Sequence, residues 1–209
     1  MTAKDHEQPT ERDRARPLKD WLSILVGVAI LLVARASVAD HYHVPSGSMQ
    51  PSVEPGDRVA VHKAAYGLRI PFTERWLTDV AMPARGDVVI LRSPETGEVL
   101  LKRVVAVAGD QVAVRAGQVW IDGRPVSIEA TPRGLLEELG DRSHPLRVTS
   151  SGGPDLAPVT VPPGQLLVMG DNRGNSHDGR SFGFVEDQAV LGRAVGVFYR
   201  GGAVRWIDL

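Results

Sequence analysis

From Trp21 to Ala34 the chain is apolar on almost every side, interrupted only by Ser23 and Gly27, and the same character resumes after Arg35 through Ala39. A helix over Leu22 to Ala39 runs about 27 Å, close to the ~30 Å hydrocarbon thickness of a bilayer. The pattern predicts a transmembrane anchor over residues 21–39, with Arg35 near its far end placed to snorkel to the headgroups. A buried core helix is one rival reading; a cleavable secretory signal, with Ser37 and Ala39 spaced like a cleavage site, is another. Residues 1–20 are polar, with Lys4, Arg12, Arg14, Arg16 and Lys19 interleaved with acids, Pro9 and Pro17, and read as a disordered tail. Basic residues before the helix and their rarity after it put the N-terminus in the cytoplasm and everything from Asp40 onward outside.

Beyond the anchor the period changes to the alternation of half-buried strands. Gly56 to Gly67 follows a Pro55-Gly56 turn and reads as a strand, Ile70 to Ala84 as a loop or wandering hairpin, and Arg85 to Arg92 as a second strand. Val99 to Val114 is a long β run, and Asp122-Gly123 between two alternating runs signals a hairpin. The pattern weakens from Ser127 to Ala157, where Leu135 to Leu139 reads as a short helix. Residues of about 115–160 are therefore taken as a peripheral cap insertion in an extracytoplasmic domain over 40–209. Short strands around Val195 to Tyr199 and Val204 to Ile207 close the chain.

Composition narrows the chemistry. With 22 Gly and 15 Pro and few aromatics, the 209 residues favour many short strands and turns over a helical bundle. A formal charge of −1 and a pI near 6.6 argue against a nucleic-acid partner. The absence of cysteine removes disulfides, thiolate nucleophiles and cysteine metal sites.

The stretch Pro45-Ser46-Gly47-Ser48-Met49-Gln50-Pro51 cannot be a helix interior or a central strand; it is a rigid turn presenting the Ser48 hydroxyl beside an unobstructed Gly47 backbone. A serine nucleophile needs a base. His177 directly precedes Asp178, and adjacent side chains point apart, so this pair makes a poor relay; His41, His43, His62 and His144 offer no better triad. Lys102, flanked by apolar residues and sharing a strand face with Leu100 and Val104, is the better candidate if that face is inward, where its ammonium loses water and its pKa falls; the alternative is a lysine on a solvated strand face with Arg103 on the opposite one. Lys63 has polar and turn residues around it and reads as exposed. A third segment, Gly170 to Arg180, is dense in turn formers and hydrogen-bonding side chains. A metal reading through Asp171, His177 and Asp178 lacks regular ligand spacing.

These segments, in this order, resemble the type I signal peptidases, membrane-bound Ser/Lys endopeptidases that remove signal peptides from exported proteins. The similarity spans Val33 to about Ala194. It implies a β-rich core of antiparallel sheets with a smaller, less regular cap. It further implies that Ser48 is the nucleophile, Lys102 the general base, Ser46 an oxyanion-hole donor alongside the Ser48 N–H, and Ser176 the serine that orients the lysine. Asp178 and Arg180 match a structural salt bridge of the same loop, with Asp171 and Asn172 in its scaffold. Val44, Pro45, Met49, Val53, Val59, Ile90 and Leu101 match the lining of shallow pockets for small residues such as alanine. Gly179 and Gly174 stand where the family usually has serine and often aspartate, departures expected to loosen the loop. The resemblance implies no cofactor and no metal, with signal peptides and membrane lipid as partners and a monomeric enzyme. The competing functions are a Ser/Lys self-cleaving regulator, disfavoured by the anchor, and a non-enzymatic membrane-tethered β module, disfavoured by the presence of all four polar site residues.

Overall fold

The structure, a computed structural model, describes residues 21–28, 39–69, 76–79, 81–149 and 151–209. Residues 21–28 are helical, with Trp21, Leu22, Ile24, Leu25, Val26 and Val28 all exposed. Strands follow: β1 (Ala39–His43), β2 (Arg58–His62), β3 (Gly67–Arg69), β4 (Trp76–Asp79), β5 (Val88–Arg92), β6 (Val99–Val107), β7 (Gln111–Arg115), β8 (Gln118–Ile121) and β9 (Arg124–Pro125). The second half gives β10 (Ile128–Thr131), β11 (Gly134–Leu139), β12 (Arg142–Leu146), β13 (Leu156–Thr160), β14 (Gln165–Met169), β15 (Val185–Glu186), β16 (Val190–Arg200) and β17 (Ala203–Asp208).

The strands pair antiparallel throughout. The largest sheet has the order β1-β2-β16-β5-β6-β14-β15, with β17 also on β16. Its central strands are apolar on both faces because both are covered. In β5, Val88 and Ile90 pack with Val44, Met49, Val53, Val59 and Val197, while Val89 and Leu91 pack with Tyr66, Val104, Val168 and Val190. Two smaller sheets, β13-β7-β8-β9 and β10-β11-β12, come from residues 111–160. A third cluster, including Val105, Val112, Val119, Leu139, Leu167 and Met169, seals them onto the large sheet.

Several expectations are corrected. Leu135 to Leu139 is not a helix but most of β11, paired on one side with β10 and on the other with β12. Its Leu-Leu-Glu-Glu-Leu run suits either state locally, and pairing on both edges decides for the strand. The cap is correspondingly regular. The strand expected through Gly67 stops at His62, where Lys63–Ala65 turns into a 3-10 helix. The β run from Val99 to Val114 is divided by a turn at Gly109, whose φ is +92°. Ala39, expected as the last residue of the anchor, opens β1 and pairs with His62, so the sheet begins there and continues through His43. Among the described residues no helix is long and apolar enough to cross a membrane, and the rest of the expected anchor and the polar tail lie outside the described residues. At Asp122-Gly123 both residues have positive φ, 52° and 74°, the geometry a two-residue hairpin requires.

Beneath the site runs a buried ionic layer. Arg103 of β6 grips Asp171 through Nε and Nη2, both at 2.8 Å, and donates to the Gly86 carbonyl at 2.8 Å; Ser52 Oγ donates to the same carboxylate at 2.5 Å. Burial pushes the Asp171 carboxyl up, but Arg103, with His144 and the Ser52 hydroxyl, outweighs it and holds the group below the usual carboxylate range. Asp171→Ala, which strands a buried guanidinium, is expected to cost about 3–5 kcal/mol in urea unfolding. Because the folded pKa is depressed, the stabilisation is present above the unfolded value of about 3.9 and lost as pH falls below it. A wild-type-like midpoint for the variant at pH 7 would contradict this.

Candidate functional site

Ser48 sits in the turn that Pro45 and Pro51 enclose, and the fold holds that turn by its carbonyls. Asn172 donates its backbone N–H to Ser48 O at 3.0 Å and its side-chain amide to Gly47 O at 3.1 Å. The Lys102 ammonium donates to Ser48 Oγ at 2.7 Å, and Ser46 Oγ lies 3.3 Å from it. These are the hydrogen-bond partners of the Ser48 hydroxyl among the described residues.

Lys102 lies opposite Val89 of β5 and is only 4% exposed. Burial lowers its pKa to about 8, against the pull of Asp178 and Asp171, which favour the charged form; Arg180 adds to the lowering. Asp178 anchors the neighbouring loop. It accepts from Arg180 Nε at 2.8 Å and Nη2 at 2.9 Å, and from Gly170 N at 3.1 Å. Ser176 is brought close but is not bonded to Lys102; its buried hydroxyl has no well-formed hydrogen bond and adds to the lowering of the Asp178 pKa.

The dyad closes one end of a groove of about 340 Å³. Val44, Pro45, Met49, Ile90 and Leu101 line it, joined by Tyr42, His43, Glu98, Val99 and Leu100, which sequence reasoning did not single out. Val53 and Val59 do not reach it; they are fully buried in the cluster beneath. One wall is an open strand edge. β14 pairs with β6 only from Arg103 onward, leaving the same side of Val99–Lys102 without a strand partner among the described residues. Val104 bonds toward β5, so alternation turns the Leu101 and Val99 backbone groups to the open side.

His177 faces away, its Nε2 2.8 Å from Glu95, as adjacency to Asp178 requires. The two glycine departures do not loosen the loop. A Cβ at Gly179 would meet Val168 O at 2.9 Å, and one at Gly174 would lie 1.5 Å from Thr149 Oγ1, so each allows close packing. Gly170 is also tightly enclosed, beside Ser48 itself, since a Cβ there would lie 2.4 Å from both Ser48 O and Ser176 Oγ. Gly170→Ala is expected to displace the Ser48 backbone and lower kcat about 10- to 100-fold, read by single-turnover kinetics; unchanged turnover would show that the contact is slack. Arg103, Arg173, Glu137, His144 and Ser52 also support the site; Arg103 and Glu137 sit at strand positions and Ser52 and Arg173 in loops where a polar side chain ordinarily meets water, so nothing in the sequence signalled their burial.

A serine hydroxyl on a buried lysine at the end of an open groove defines a serine hydrolase of the Ser/Lys kind. The family described as "Signal peptidase, peptidase S26" matches residues 18–199, and the chain belongs to it. A signal peptidase I of Pseudomonas fluorescens is 34% identical over 193 residues, covering 81% of this chain and 68% of that protein. A probable signal peptidase I-1 of Synechocystis sp. is 33% identical over 194 residues, covering 89% of this chain and 83% of its own. The crystal structure of a signal peptidase I from Enterococcus faecalis V583 is 28% identical and covers 55% of this chain and 98% of that one, with a TM-score of 0.38.

Proposed function

We propose that this chain is the membrane-bound serine endopeptidase that cuts signal peptides from exported preproteins after small residues, with Ser48 as nucleophile and Lys102 as its base. The observation that carries the reading is the 2.7 Å contact between Ser48 Oγ and a lysine amine that burial brings to about 8. Neutral Lys102 takes the Ser48 proton as Oγ attacks the scissile carbonyl. The Ser48 N–H and the Ser46 hydroxyl receive the oxyanion. Lys102 returns the proton to the leaving amine, and water then resolves the acyl-enzyme with the same lysine as base.

The substrate lies extended along the open edge of β6, its backbone bonding to Leu101 and Val99. Alternate side chains then point into the groove, where Val44, Met49, Ile90 and Leu101 leave room for small groups at the first and third positions before the bond. An N-terminal anchor over residues 21–39, reaching only to where β1 begins, holds the groove at the outer membrane surface, with the tail in the cytoplasm and residues 40–209 outside. The exposed apolar side chains of residues 21–28 support it. Ser46, Ser48 and Lys102 come from one chain, which supports action as a monomer.

The test is cleavage of a secretory precursor in detergent, followed by N-terminal sequencing of the product. A single cut after an alanine is expected; folded enzyme giving no product in detergent or in lipid vesicles would overturn the proposal.

A further inference from the structure

We infer that Glu137, on β11 of the cap, is a positioning residue for the Ser48 turn, acting through Arg173. The inference rests on the reading of Ser48 and Lys102 given above.

Glu137 is fully buried in a strand of the cap and is not part of the groove lining, and it forms a two-pronged ion pair with Arg173, which is 1% exposed. Arg173 also donates to Gly117 O at 2.7 Å and Gly170 O at 3.3 Å. Its own carbonyl accepts from Arg180 Nη2 at 2.8 Å. Arg173 is thus held from the cap sheet, from the β7–β8 turn and from the Asp178–Arg180 pair. The residue before it, Asn172, is the one whose backbone and side chain fix the carbonyls of Ser48 and Gly47. The path from Glu137 to the nucleophile is therefore one ion pair, one peptide and one hydrogen bond.

The remaining groups around Glu137 belong to the same layer. His144 Nε2 is 3.3 Å from Glu137 Oε2 and 3.6 Å from Asp171 Oδ1, and Asp171 is the carboxylate held by Arg103. Burial raises the Glu137 pKa, but Arg173 and His144 together more than offset this, so the carboxyl is held below its usual range. A glutamine at 137 would turn an NH2 group toward one guanidinium nitrogen, donor against donor, and leave a buried cation short of an acceptor.

The experiment compares full-length wild type with Glu137→Gln, Glu137→Asp, Glu138→Gln and Ser48→Ala in detergent on a peptide spanning a cleavage site. Rates are counted per active site by burst titration. Glu137→Gln is expected to lose about 10- to 100-fold in kcat with KM within about twofold, because the reacting atoms are misaligned while the groove is untouched. Glu137→Asp keeps the charge at a shorter reach and is expected to recover part of that loss. Glu138→Gln, at the exposed next position of β11, is expected to match wild type. A kcat per active site at the wild-type level in Glu137→Gln would overturn the inference, as would a loss confined to KM. If Glu137→Gln does not fold, Glu137→Asp decides: lowered kcat at constant KM supports positioning, and unchanged kcat overturns it. Activity in Ser48→Ala would instead sink the underlying assignment of the nucleophile, and the two failures are distinguishable.

Discussion

Ser48→Ala is expected to lower kcat/KM on a secretory precursor by about 10⁴-fold or more, since the covalent route is lost and only groove binding and the oxyanion donors remain. The fold should survive. The Ser48 side chain is partly exposed, and the turn around it is held by the carbonyls of Gly47 and Ser48 rather than by the hydroxyl. Unchanged thermal unfolding alongside lost cleavage would therefore separate chemistry from stability. Retained cleavage would mean that another group attacks. Loss of the hydroxyl also leaves the Lys102 amine without its 2.7 Å partner, so a change in that amine's reactivity toward acylating reagents is a second readout.

Lys102→Arg keeps the positive charge and is nevertheless expected to be inactive, roughly 10³-fold down, because a guanidinium does not give up its proton near neutral pH. In the wild type, burial brings the lysine to about 8. The sign follows from the role: the base works only when neutral, so kcat/KM should rise about tenfold per pH unit below that value and level off above it. A profile flat between pH 6 and 9, or an active arginine variant, would assign the proton to another group.

The Ser48 turn was legible in the sequence, because a stretch rich in Gly, Pro and Ser has nothing to do in a core or a sheet, while the role given to its hydroxyl came from the resemblance. Lys102 was legible only in part: alternation puts it on a face with Leu100 and Val104 but leaves open whether that face meets water, and in the structure the face is covered. What supports the dyad was not legible. Arg103 and Glu137 occupy strand positions where a charge ordinarily meets water, and their burial depends on Asp171 and Arg173, carried in from elsewhere in the chain. Periodicity reports which residues share a face; it does not report what another segment lays over that face. The same reason underlies β11, whose local sequence permits a helix until two partners take its edges. Val53 and Val59 were placed in the groove by resemblance, and they lie one layer below it.

The uncovered side of β6 carries a further consequence. An unpaired run of backbone donors and acceptors beside apolar side chains is the kind of surface through which β-proteins stick to their own copies and aggregate. Here, among the described residues, the open run is Val99–Lys102, bounded by the Glu98 carboxylate at one end and by β14 at the other. A full-length strand of a second molecule cannot lie along so short an interval without meeting a charge or a closed ladder. The enzyme thereby keeps an edge open to a short extended peptide while offering little of it to a second copy of itself.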